Sequence, residues 1–279
     1  MTSSVPQIKL IGSDLDGTLL FDHHFMSPRV KAAVAKARAA GIVIASATGR
    51  QVRDCPPSVT PEEVPYAVAS NGAIGYDFVN RELLFAHQIE TDAVAGVVHF
   101  LKDRFPQLSF ASVQRDGTRW LVEEEYLRLA MLEDFYKKDP WFTQGTLAEL
   151  CAEPSTKITA RHPGVKPLDM LAALAEAQLP GCSATISGAP FIEVGPPGVT
   201  KATGLAQLAA LLGIESAQVA AVGDALNDLA MIEWAGFGVA MGNSMPEVLA
   251  AADFVTASSD EDGLAVLIDL LLTAIDQVC

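Results

Sequence analysis

The sequence predicts an α/β fold: a doubly wound parallel sheet with an α+β domain inserted into it. Three observations lead there. In the first and last thirds of the chain, short continuous apolar runs, the mark of strands buried on both faces, alternate with helix-spaced stretches. Between about residues 89 and 190 that alternation gives way to shorter strands set among helices. Successive strands of the first third also end in small polar residues, and open α/β sheets gather their ligands at the carboxyl ends of strands.

The first strand, Ile8, Leu10 and Ile11, runs into Asp14-Leu15-Asp16-Gly17-Thr18. In extended backbone Asp14 and Asp16 point to the same side, and Gly17 lets the chain turn without a side-chain clash. Ser27-Pro28 opens a helix, with Ser as N-cap and Pro in the first turn. Val30, Ala33, Val34 and Ala37 recur at helical spacing until Gly41 stops it. Ile42–Ala47 is the second strand, ending at Thr48-Gly49-Arg50; Tyr66–Ser70 is the third, ending at Asn71-Gly72.

In the insert, strands are expected at Leu108–Val113, Arg119–Val122, Lys157–Ala160, Ser183–Ile186 and Phe191–Val194. Helices are expected at Asp92–Arg104, Leu127–Lys137 and Lys166–Ala177, covering one face of the sheet. Gly195-Pro196-Pro197-Gly198 is too rich in Pro and Gly for an element interior and marks the return to the core. Helix Thr200–Leu212, strand Val219–Val222, helix Asn227–Trp234, strand Gly238–Met241 and helix Pro246–Ala252 follow. An amphipathic helix, Gly263–Cys279, carries Asp269 and Asp276 and so does not read as a membrane span. The domain plan is a core of residues 1–88 and 190–279 around an insert of residues 89–189.

A net charge of −15 argues against nucleic acid or an anionic membrane as the main partner, and it means that an anionic substrate needs a metal or a few placed cations. The four cysteines, Cys55, Cys151, Cys182 and Cys279, have neither zinc spacing nor a disulfide framework. With no signal segment in view, a cytoplasmic, soluble protein is expected.

Two acids beside a buried strand repel each other and lose solvation unless a cation is bound. A calcium loop does not fit Asp14 and Asp16, because its twelfth position would be Phe25 rather than Glu. Gly223-Asp224-Ala225-Leu226-Asn227-Asp228 is a second acid cluster at a strand end; helix capping explains one of its acids but not the whole set. Oxygen ligands from Asp14, Asp16, Asp224 and Asp228 suit Mg²⁺. Ser46-Ala47-Thr48-Gly49-Arg50 offers a hydroxyl, a guanidinium and backbone N–H groups at a helix N-terminus, which are the parts of an anion cradle; a simple cap at Thr48 is the alternative. Lys201 stands at a helix start, against the dipole, and therefore needs an anionic neighbour, with a surface salt bridge the alternative. Gly236–Gly242 lacks dinucleotide-loop spacing and His23-His24 lacks a metal-binding companion; Arg119-Trp120 and Arg161-His162 read as solvated positions in the insert, with contact to a substrate the alternative.

Taken together, these motifs resemble the haloacid dehalogenase (HAD) superfamily, and within it the Cof-type phosphatase branch with a C2-type cap. Asp14-Leu15-Asp16-Gly17-Thr18 matches its first motif, Thr48 the second, Lys201 the third, and Gly223-Asp224 through Asn227-Asp228 the fourth. Ala69–Ala73, Gly238–Asn243 and Ser259–Gly263 also sit as in that branch, while Ala202 stands where the family usually has Gly. The resemblance implies a Rossmann-like core, a specificity-setting cap and Mg²⁺-dependent hydrolysis of small phosphate monoesters. Sugar phosphates lead as substrates, with pyridoxal phosphate or flavin mononucleotide behind. It implies Asp14 as nucleophile and Asp16 as acid and base. Mg²⁺ would be held by Asp14, the Asp16 carbonyl, Asp224 and Asp228. Thr48, Lys201 and Asn227 would bind the phosphoryl group, with Arg50 and Asn71 at the substrate entrance. A phosphosugar mutase and a non-hydrolytic regulator that binds a phosphometabolite stay open as alternatives.

Overall fold

The structure, a computed structural model, describes residues 7–22, 24–56, 59–130 and 141–276. In chain order the strands are β1 (Leu10–Ser13), β2 (Val43–Ala47), β3 (Tyr66–Ala69), β4 (Ile74–Asp77), β5 (Glu82–Ala86), β6 (Ser109–Gln114), β7 (Arg119–Val122), β8 (Phe142–Gln144), β9 (Ser155–Arg161), β10 (Ser183–Thr185), β11 (Ile192–Gly195), β12 (Val219–Gly223), β13 (Phe237–Ala240) and β14 (Phe254–Val255). The helices are α1 (Pro28–Ala39), α2 (Thr91–Arg104), α3 (Glu124–Leu129), α4 (Leu147–Leu150), α5 (Pro167–Ala177), α6 (Lys201–Leu211), α7 (Leu229–Trp234), α8 (Pro246–Ala251) and α9 (Gly263–Asp276). None of the described helices is long and apolar enough to cross a membrane.

The chain divides into two compact units, one of Met1–Arg50, Cys55–Leu84 and Thr200–Cys279, the other of Gln51–Asp54 and Phe85–Val199. The first is built on a sheet ordered β14-β13-β12-β1-β2-β3-β4-β5. From β14 to β3 every pairing is parallel, while β4 returns antiparallel to β3. This is the doubly wound core that the alternation predicted. Ile11, Ile44, Val222 and Val239 bury one face of the sheet against α1 and α9. The next residue along β1, Gly12, faces the other way, where a Cβ would meet Leu205 of α6 at 2.4 Å. The sheet is therefore covered on both faces.

Local chemistry accounts for the elements. The Ser27 hydroxyl accepts from the Val30 N–H at 3.1 Å at the start of α1, and the predicted stripe Val30, Ala33, Val34 and Ala37 is buried. Gly17 turns the chain after β1 with φ +76°. The β4 and β5 strands were not anticipated: Gly75 and Asp77 interrupt the apolar pattern of β4, and its pairing with β3, with β5 next to it in the sheet, supplies the order that propensity lacks.

The second unit carries a sheet ordered β10-β11-β9-β6-β7-β8, antiparallel except for β7 with β8. Two expectations are corrected here. Helices do not keep to one face. Phe110 lies under Lys102 of α2, whereas its neighbour Ala111, on the opposite face, packs with Tyr126 of α3. The helix expected at Leu127–Lys137 begins earlier, at Glu124, with its acids in the first turn, and ends at Leu129; residues 131–140 lie outside the described residues. His23 and Cys279 lie outside them too.

Candidate active site

The carboxyl ends of β1, β2, β3 and β12 bring the predicted residues of the first unit together. Asp14 follows β1 directly, its backbone N–H donating to Val222 O of β12 at 2.9 Å, so it continues the parallel ladder to the edge of the sheet. Lys201 opens α6, whose N-cap Thr200 forms a capping box with Thr203. The Lys201 ammonium donates to Asp14 Oδ1 at 2.7 Å and to Asp228 Oδ1 at 2.6 Å. All three side chains are buried. The anionic neighbour that Lys201 required is thus a pair of carboxylates, one from each acid cluster.

Asp228 is held from both ends. Its Oδ2 accepts from the backbone N–H groups of Asp224 at 3.0 Å and Ala225 at 2.9 Å, closing the turn Leu226–Asp228. Asp224 is secured by the Thr18 hydroxyl at 3.3 Å and by Asn243 Nδ2 at 3.3 Å. Asn243 also donates to Gly17 O at 3.1 Å and accepts from Ser259 N–H at 2.8 Å, tying the turns after β1, β13 and β14 to one another. Sequence reasoning assigned no role to Asn243 or Thr18. The signal available was position alone: Thr18 follows a strand end already marked as polar, and Asn243 closes the Gly238–Asn243 stretch that resembles the family.

Carboxylate oxygens of Asp14, Asp224 and Asp228 lie within 4.8 Å of one another. One ammonium faces three carboxylates. Burial raises Asp14 well above the usual carboxylate range; Lys201 pulls against this, while Asp228 and Asp16 add to it. Burial and then Asp228 push Asp224 up to about 6. Burial works against the charge of Lys201, but Asp14 and Asp228 outweigh it and hold its pKa above the usual lysine value. The excess of negative charge and the all-oxygen donor set fit a hard divalent cation.

The Asp16 carboxylate stands outside this cluster, which corrects the expectation that its side chain joins the acidic set. Arg50 takes it instead, Nε donating to Oδ2 at 2.8 Å and Nη2 to Oδ1 at 2.5 Å. This is a two-pronged pair with the guanidinium buried. Thr48 is buried at the end of β2, its Oγ1 accepting from Arg50 N–H at 3.0 Å. Among the described residues between Thr48 and β3 there is no α-helix: a 3₁₀ turn, Val52–Asp54, stands where a helix N-terminus was expected. Asn71 adopts a left-handed conformation, φ 55°, and its Oδ1 accepts from Asn227 Nδ2 at 3.0 Å. The Asn227 Oδ1 is buried without a hydrogen-bond partner among the described residues.

Comparison with known proteins places this site in a family. The sequence profile of haloacid dehalogenase-like hydrolases matches residues 11–268. YxeH of Bacillus subtilis (strain 168), which carries a provisional phosphatase designation, is 32% identical over 95% of this chain and 99% of its own length. The 5-amino-6-(5-phospho-D-ribitylamino)uracil phosphatase YcsE of the same organism is 28% identical over 92% of this chain and 93% of its own. The solved structure of the HAD subclass IIB sugar phosphatase BT4131 superposes with a TM-score of 0.81 at 23% identity, over 94% of this chain and 98% of that one. A four-motif acidic site on a doubly wound core, matched along nearly the whole chain, establishes that the protein belongs to the haloacid dehalogenase-like hydrolases, in their Cof-type phosphatase branch.

Proposed function

We propose that this protein is a Mg²⁺-dependent phosphatase that hydrolyses small phosphorylated sugars or sugar alcohols through an aspartyl-phosphate on Asp14. The observation that carries this reading is the junction of Asp14 with Lys201 and Asp228, a buried carboxylate oriented by an ammonium beside further acids. The names of YcsE and BT4131, which act on a phosphoribityl compound and a sugar phosphate, support the substrate class. The unit of Met1–Arg50, Cys55–Leu84 and Thr200–Cys279 would form the catalytic core, and that of Gln51–Asp54 and Phe85–Val199 a cap that selects the leaving group, which moves the sequence-drawn bounds of 88 and 190 to 84 and 200. The free thiols of Cys151 and Cys182 suit a reducing, cytoplasmic setting.

In this mechanism an Asp14 oxygen attacks phosphorus and the bond to the leaving oxygen breaks. Asp16 gives that oxygen its proton. Asp16 then takes a proton from water, whose oxygen attacks the same phosphorus and releases phosphate and Asp14. Arg50 orients Asp16 through its two parallel N–H donors. The Thr48 hydroxyl, which accepts from Arg50 N–H, keeps its own proton to donate to a phosphoryl oxygen. Lys201 neutralises charge on the phosphoryl group while aligning Asp14. Asn227 and Asn71, joined to each other, border the phosphate and the entrance. Mg²⁺ held by Asp14, Asp224, Asp228 and the Asp16 carbonyl would shield the nucleophile from the substrate's charge.

The test is phosphate release from a panel of sugar phosphates, pyridoxal phosphate and flavin mononucleotide, with Mg²⁺ or EDTA, for the wild type and Asp14→Asn. Metal-dependent release that the variant loses supports the reading. Release that survives the substitution moves the nucleophile elsewhere and ends it.

A further inference from the structure

In the first unit, the turn that follows β13 is fastened to the residues that carry the acidic site. Met241 N–H and the Ser244 hydroxyl both donate to Gly223 O at 3.1 Å, and Met245 N–H donates to Asp224 O at 2.9 Å. From this turn the Asn243 side chain reaches three groups at once. Its Nδ2 donates to Gly17 O at 3.1 Å and to Asp224 Oδ2 at 3.3 Å, and its Oδ1 accepts from Ser259 N–H at 2.8 Å. A side-chain amide has two N–H donors and a carbonyl acceptor, so every part of Asn243 meets a matching partner. Turning the amide over would set its carbonyl against two oxygens and its N–H groups against a third N–H. The surroundings therefore fix its orientation.

Asp224 is enclosed by the same residues. The Thr18 hydroxyl donates to Oδ1 at 3.3 Å and Asn243 donates to Oδ2. Gly17 leaves room for the carboxylate: a Cβ there would come within 2.6 Å of Oδ2. Lys201 bonds to Asp14 and Asp228, whereas the donors to Asp224 are neutral side chains. Asp224 is thus held in one pose while its charge is left for a cation from outside the chain.

We propose that Asn243 is a positioning residue for the divalent cation: it holds Asp224 in a ligating pose and, through Ser259, links the cation site to the turn after β14. This rests on the metal-dependent phosphatase reading and adds a residue that acts through Asp224. Hydrogen-bond partners of ligating side chains typically govern about 10- to 100-fold in metal affinity. Linkage is reciprocal, so a cation that Asn243 helps to bind must in turn hold Asn243, and with it the Ser259 N–H, in place.

The experiment titrates Mg²⁺ into the chelator-stripped full-length protein by isothermal titration calorimetry, without substrate, for the wild type and Asn243→Ala. The variant should show a Kd raised about 10- to 100-fold. Circular dichroism and thermal melting in EDTA establish that it is folded at the temperature of the titration. A purely structural tie between turns would lower the melting temperature and leave the Kd of the folded chain in place. An unchanged Kd therefore overturns the inference. Amide exchange in the wild type, read by NMR, needs no variant: saturating Mg²⁺ should slow exchange of the Ser259 N–H by about 10-fold or more. Exchange at Ser259 that ignores the cation overturns the inference even where Asn243→Ala fails to fold. A wild type that binds neither Mg²⁺ nor Mn²⁺ overturns the metal-dependent reading itself.

Discussion

Lys201 and Asp14 meet at 2.7 Å across 187 positions of sequence, and Lys201 grips Asp228 at the same time. One buried ammonium thus joins the start of the chain to its last third and holds the two acid clusters together. The pairing makes Lys201 a structural clasp as well as the proposed phosphate ligand. Lys201→Met leaves two buried carboxylates without their cation, for which the expected loss is about 3–5 kcal/mol. Urea unfolding in EDTA measures it. An unchanged midpoint would show that the pair is not buried as described.

The pH dependence follows from Asp224, whose pKa is pushed up to about 6 from an ordinary 3.8, first by burial and then by Asp228. Between these values the folded chain holds a proton that the unfolded chain lacks, so stability rises as pH falls through that window. Metal-free wild type should therefore improve from pH 7 to pH 5 relative to Asp224→Asn, as thermal melts will show. Mg²⁺ should bind less tightly as pH drops below about 6, because the proton competes for the same oxygen. A difference between the two proteins that does not vary with pH would contradict the assignment.

Gly72 locks the start of α6 into place. It sits at φ +105°, and a Cβ there would come 2.0 Å from the carbonyl oxygen of Thr200, the N-cap just before Lys201. Gly72→Ala should cost about 2 kcal/mol or more through backbone strain and displacement of that cap. Because Lys201 moves with it, kcat/KM should fall more steeply than the loss of stability alone explains. Full activity in a variant of lowered melting temperature would separate the turn from the site.

Arg50 and Asp16 form a fork-to-carboxylate pair that an ammonium cannot reproduce. Arg50→Lys should lower kcat by roughly 100-fold, the cost of displacing a reacting group by about 1 Å, with stability less affected than by Arg50→Met. Steady-state kinetics beside thermal melts will test it; equal losses of kcat in both variants would show that only the fork's geometry matters.

Much of this was legible in the sequence because the core obeys local rules. The apolar runs at Leu10–Ser13, Val43–Ala47 and Val219–Gly223 are buried on both faces, and the Ser27-Pro28 start of α1 carries its own cap. Lys201 could be placed beside acids because a cation at a helix start conflicts with the dipole. What sequence could not supply was the pairing of side chains across strands. That Asp16 belongs to Arg50 and not to the acidic cluster depends on how the chain turns after β1, where residues two apart no longer lie in extended backbone. In the second unit, Lys157, Thr159 and Arg161 alternate with Ile158 and Ala160 as any half-polar strand would. Only the register with β11 puts Glu193 among them.

The central claim is that Asp14 is the residue phosphorylated in turnover. Mixing the enzyme with its best substrate and Mg²⁺, quenching in acid within the first turnover and mapping the peptides by mass spectrometry tests it directly. The account predicts a phosphoryl group on the peptide carrying Asp14, absent in EDTA and in Asp14→Asn. A phosphoryl group on any other residue, or release of phosphate by Asp14→Asn at the wild-type rate, would contradict it.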